Sequence, residues 1–79
     1  MSVLLSQLNI GDKAIILDVN IDEIPLKLLE MGCLPGNTVQ LIQIAPFGDP
    51  FYFNINDSHV AIRKETALEI SVVLENQLL

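Results

Sequence analysis

One short run limits what this chain can become: Leu28-Leu29-Glu30-Met31-Gly32-Cys33-Leu34-Pro35-Gly36, followed after a strand-like segment by Ala45-Pro46-Phe47-Gly48-Asp49-Pro50. Gly32 stands where a helix must stop, because a residue without Cβ takes the left-handed C′ conformation at little cost. Leu34-Pro35-Gly36-Asn37 reads as a type II turn. Proline presets φ at its second position and glycine supplies the positive φ at its third. The second run is a tight corner between two strands, with prolines that cannot join a sheet ladder.

The flanking residues extend this pattern. Leu4, Leu5 and Leu8 predict a short helical turn that Gly11 closes. Lys13–Val19 is rich in β-branched residues and predicts a strand. Asp22 is a candidate helix N-cap, with Pro25 tolerated in the first turn. Ile24, Leu28 and Met31 recur at helical spacing, so a core-facing helix is expected near residues 23–31. Thr38–Ile44 and Phe51–Ile55 read as strands. Asn56-Asp57-Ser58 then turns the chain into a hairpin with residues 59–63. Residues 64–68 form a single helical turn, and Ile70–Leu74 is the last strand. Five short strands with one helix inserted after the first strand predict a mainly β fold, a small, partly open barrel over residues 1–79 as one domain.

A chain of 79 residues has room for one small core. With no Trp, three Phe and one Tyr, that core must be aliphatic. The apolar stretches, such as Ala14-Ile15-Ile16-Leu17, fall far short of the ~20 residues that span a bilayer. No basic segment precedes a long apolar one, so no signal peptide is expected. A single cysteine fits a reducing compartment. The expectation is a cytoplasmic protein with no membrane insertion. A net charge of −6 disfavours nucleic acid and anionic lipid as partners, since both need clustered Lys and Arg. A mean hydropathy of +0.48 in so short a chain points instead to apolar surface left over for a protein contact.

Signatures of catalysis are missing. The sequence has no phosphate-binding Gly-rich loop, no G-x-S-x-G and no H-E-x-x-H. His59 and Cys33 are the only residues of their types, so no enzyme activity, no cofactor and no monomeric metal site are expected. His59 reads as a hairpin residue; as a ligand it would have Asp57 beside it, and a transition metal prefers more nitrogen or sulfur donors. Cys33 beside the helix cap reads as a small buried hydrophobe, reactive only if exposed in an electropositive setting.

The candidate contact surface lies in the second half. Val39 and Leu41 share one face of a regular strand, and Ile42 and Ile44 share the other. Either Ile42 and Ile44 face a partner or a bulge turns Ile44 inward. Phe47 either tucks over the end of the barrel or stands out as an anchor, and aromatics are enriched at binding hot spots. Asp49 is either a turn carboxylate that accepts backbone N–H bonds or part of a recognition corner. Tyr52, on the outward alternation of its strand, completes the set.

The order Leu28-Leu29-Glu30-Met31-Gly32, Pro35-Gly36, Val39 and Ala45-Pro46-Phe47-Gly48-Asp49-Pro50 resembles the ferrous iron transport protein A family, the FeoA domain. Leu5 to Asp12 resembles that family's opening, and Ala61-Ile62-Arg63-Lys64-Glu65 with Ile70-Ser71-Val72 resembles its close. The resemblance implies an SH3-like barrel that assists or regulates the ferrous iron transporter through its GTP-binding cytoplasmic part. Self-association is a second use of the same surplus surface. An alternative is a stand-alone regulatory module akin to the C-terminal domain of metal-dependent repressors. Relatives commonly carry arginines at the start of the helix, where Ile24-Pro25-Leu26-Lys27 offers only Lys27.

Overall fold

The computed structural model describes residues 2–77, so residues 1, 78 and 79 of the expected 1–79 domain lie outside the described residues. Six strands, β1 (Val3–Leu4), β2 (Lys13–Val19), β3 (Thr38–Ile44), β4 (Phe51–Ile55), β5 (Ser58–Ile62) and β6 (Ile70–Leu74), form one sheet in the order β1-β6-β2-β3-β4-β5. All neighbours are antiparallel. Two short helices, α1 (Leu26–Glu30) and α2 (Lys64–Ala67), interrupt the strands. The class is mainly β, and the sheet stays open between its β1 and β5 edges.

The expected count of five strands is one short of the six among the described residues. Val3 and Leu4 pair with Val72 and Ser71 and add an edge strand, and the helical turn begins only at Leu5 as a 3-10 segment. That pairing joins the two ends of the chain. The helix is also shorter than 23–31: it starts at Leu26 behind Pro25, and no side chain caps it. Proline at the cap forces this late start, because it disfavours helical geometry in the residue before it. Asp22 therefore lies in an exposed turn rather than at the cap.

The end of α1 follows the glycine logic closely. Gly32 has φ +104, its N–H donates to the Leu29 carbonyl at 3.1 Å, and Cys33 N–H donates to the Leu28 carbonyl at 3.0 Å. These paired bonds are the Schellman pattern, and its apolar contact is met by Leu28 and Cys33, both buried. Asn37 Nδ2 then donates to the Gly32 carbonyl at 2.7 Å, tying the cap to the next turn. In that turn Gly36 has φ +95 and Asn37 N–H donates to the Leu34 carbonyl at 3.2 Å, the type II geometry expected. At the hairpin, Ile55 pairs with Ser58 across Asn56 (φ +52) and Asp57 (φ +66), a type I′ turn.

Both central strands share one departure from regular alternation. β2 pairs Ile16 with Val72 and Asp18 with Ser71, skipping Leu17. β3 pairs Leu41 with Phe53 and Gln43 with Tyr52, skipping Ile42. Before each bulge alternate residues face in: Ala14 and Ile16 on β2, Val39 and Leu41 on β3, all buried. After it the inward phase resumes one residue late, at Val19 and Ile44. The extruded residues stay outside, Leu17 at 47% and Ile42 at 43% exposure. A bulge bends its strand and adds twist, which lets a small sheet wrap around one core. That core is aliphatic apart from Phe51 and Phe53, whose ring centroids lie 6.2 Å apart.

Because Gly32 is held at positive φ, Gly32→Ala should destabilise the domain by about 1 kcal/mol or more. Its new Cβ meets Asn56 Cβ at 3.4 Å, an ordinary contact, so the cost is backbone strain rather than a clash. Thermal melting should show a fall of roughly 4–8 °C per kcal/mol. An unchanged midpoint would mean that the cap does not hold the helix end.

Candidate functional site

The bulge in β3 decides which residues reach the surface. Ile44 pairs with Phe51 and packs against the core, so the expectation that it faces a partner is corrected. Ile42 alone of that pair is exposed. Tyr52, opposite Ala61 on β5, is 42% exposed on the same side of the sheet. Ile42, Tyr52, His59 and Ala61 line a shallow depression of about 320 Å³ whose floor reaches Phe53 and Val60. Paired strands fix the backbone positions from which these side chains project, so little backbone freedom is lost when they are covered.

The corner loop supplies the second element. Ala45 N–H donates to the Pro50 carbonyl at 3.0 Å and Gly48 N–H to the Ala45 carbonyl at 2.8 Å, which closes the corner. Phe47 projects from it with its side chain wholly exposed, at 100%. Asp49 takes the structural role: its Oδ1 accepts the Lys64 backbone N–H at 2.9 Å. The carboxylate thereby satisfies a free donor in the first turn of α2, whose own preceding residue, Arg63, has no capping side chain. The structure thus brings Ile42 and Tyr52 together, sets Phe47 on the adjoining corner, turns Ile44 inward and spends Asp49 on a helix end.

The two residues with latent chemistry are placed apart. Cys33 is fully buried, and desolvation pushes its thiol pKa from 9.0 up to about 11, away from nucleophilic use. His59 is exposed on β5 opposite Asn54. Among the described residues no group of three or more His, Cys, Asp or Glu could hold a metal ion. No helix among them is long and apolar enough to cross a membrane. Sequence reasoning missed a second groove, between α1 and β5, where Lys27 and Arg63 meet across an apolar floor. Their separation along the chain hides that meeting.

A small SH3-like sheet with capped corners and an exposed apolar face is the class these features define. The FeoA domain profile matches residues 3–74, and the chain belongs to the FeoA domain family. It is 42% identical over 71 residues to the Fe(2+) transport protein A/Fe(2+) transporter FeoB fusion protein of Porphyromonas gingivalis (strain ATCC BAA-308 / W83), a match that covers 89% of this chain. The match spans only 8% of that fusion protein's length. The solution structure of FeoA from Chlorobium tepidum superposes with a TM-score of 0.83 at 28% identity, covering 92% of this chain and 70% of that one. Zinc-complexed FeoA of Stenotrophomonas maltophilia, described as a prokaryotic SH3 domain protein, superposes with a TM-score of 0.72 at 25% identity, covering 94% and 91% of the two chains.

Two outcomes follow from this placement. Asp49→Ala should cost about 1 kcal/mol by removing the carboxylate that serves α2, read as a lower melting midpoint. For Cys33 the raised thiol pKa means that the folded state keeps its proton after the unfolded chain has lost it. Its contribution to stability is therefore complete below pH 9 and is lost as pH rises from 9 towards 11. Denaturant titrations over that range should show a decline that Cys33→Ala, compared with its own neutral-pH stability, does not share. Equal declines in both proteins would refute the buried-thiol assignment.

Proposed function

We propose that this chain is a non-enzymatic adaptor or regulator of the ferrous iron transporter, acting in the cytoplasm by protein–protein contact. The observation that carries the reading is the natural joining of a 42% identical segment to transporter FeoB in one polypeptide. Fusion keeps two partners at high effective concentration, an arrangement that suits components acting on each other. Action of one on the other also requires a binding surface on this domain.

Ile42, Tyr52 and Phe47 supply such a surface. An isoleucine and a tyrosine on ordered strands, with a fully exposed phenylalanine beside them, form the kind of apolar and aromatic anchor that contributes most at protein interfaces. Asp49 contributes by holding the corner and α2 in position rather than by direct contact. The mechanism is a shift of the transporter's conformational equilibrium, which requires tighter binding to one of its states than to another. The GTP-binding cytoplasmic part is the intended target. Conversion of the transporter between nucleotide states would then change the adaptor's affinity reciprocally.

A binding assay with the transporter's soluble domain, run beside thermal melting, tests this directly. Ile42→Glu and Phe47→Ala should weaken binding while leaving the melting midpoint nearly unchanged, because both side chains stand outside the core. Leu41→Ala, fully buried, should instead cost about 2–5 kcal/mol of stability. Absence of binding by the unaltered chain would contradict the adaptor reading. Response to ferrous iron alone, with no transporter present, would favour the repressor-like regulatory module instead.

A further inference from the structure

We infer that the groove between α1 and the open edge of β5 receives an acidic, extended segment of a protein partner, added as a further strand to the sheet. This goes beyond the adaptor reading and holds whichever protein supplies the segment. The groove encloses about 410 Å³, with Leu28 and Met31 on one wall and Val60 on the other. It shares His59, Val60 and Ala61 with the Ile42 and Tyr52 depression, and extends from them towards α1 rather than towards β3.

Three features select the occupant. The first is the free edge: among the described residues β5 pairs with β4 alone and ends the sheet. Ile55 and Ser58 flank a two-residue turn and so form a hydrogen-bonded pair, and the alternation makes Val60 and Ile62 bond to β4 as well. The peptide groups of His59 and Ala61 consequently point at the groove, the arrangement that strand addition uses. The second is the floor, which is apolar and suits alternate side chains of an extended segment.

The third feature is charge. The chain carries a net charge of −6 with only four Lys and Arg residues, yet two of those four, Lys27 and Arg63, line this groove together with His59. No carboxylate among the described residues lines it. The acidic surface formed by Glu23, Glu65 and Glu69 lies beyond Thr66, which borders both. The acidic remainder of the surface repels carboxylate-bearing segments while the basic rim attracts them, which steers such segments to this edge. A small neutral ligand would leave both the rim and the open edge unused.

The test uses the whole chain and a synthetic acetylated peptide of alternating Glu and Val, with a control in which every Glu is Lys. Amide chemical shifts and hydrogen exchange are followed by NMR. The acidic peptide should shift the amides of β5 and Lys27 and slow exchange at His59 and Ala61, with both effects fading as salt is added. The Lys peptide should do neither. Lys27→Glu with Arg63→Glu should abolish the shifts. Ala61→Pro should do so too, because it removes an outward N–H that the sheet does not use. Melting of each variant is measured alongside, and the exchange measurement on the unaltered chain stands even if a variant fails to fold. Equal response to both peptides, shifts confined to the Ile42 face, or unchanged exchange at His59 and Ala61 would overturn the proposal. Concentration-dependent protection of the same amides without peptide would also overturn it, by making a second copy the occupant.

Discussion

The paired bulges at Leu17 and Ile42 are the constraint from which the rest of this structure follows. A small domain can enclose a core only if its sheet coils, and a regular ladder through β2 and β3 would stay too flat to do so. Each bulge inserts one residue that the neighbouring strand does not match, on the β6 side for β2 and the β4 side for β3. The strand bends, and the inward phase slips by one. Val19 and Ile44 return to the core as a result, while Leu17 and Ile42 are left outside. The distortion that bends the strand around the core thus also leaves an apolar side chain on its outer face.

The loops complete what the bulges begin. Gly32 and Cys33 end α1 with paired backbone bonds, and Asn37 ties that end to the type II turn leading into β3. Asp49 performs a similar task at the far corner by serving the start of α2. Each polar contact satisfies a backbone group at a helix end that has no partner within its own helix. The outcome is a scaffold whose helices are very short yet fixed at both approaches. Upon it the Ile42 face and the basic groove are held in set positions, as the proposed docking role requires.

Much of this was legible in the residues themselves. The β2, β3, β4 and β6 spans, the cap at Gly32, the turn at Pro35-Gly36 and the hairpin at Asn56-Asp57 rest on local rules of alternation and positive φ. What was not legible depends on partners far along the chain. Leu4 shares with Leu5 and Leu8 a spacing suited to a helix, and only pairing with Ser71, beside that of Val3 with Val72, makes it part of a strand. The direction of Ile44 could not be decided from alternation alone, because a bulge is defined by the opposing strand. Asp49 and Lys64 are separated by the whole β4–β5 hairpin, and the charge at the groove comes from residues as distant as Lys27 and Arg63.

The register between β3 and β4 tests the central claim most directly, through cross-strand nuclear Overhauser effects in solution. A bulge at Ile42 places Gln43 opposite Tyr52 and Ile44 opposite Phe51, with Ile42 itself lacking a partner on β4. Cross peaks joining those two pairs are the expected result. Cross peaks joining Gln43 to Phe51, in place of those two pairs, would instead show an unbroken ladder, turn Ile44 outward and contradict the division between core and exposed face.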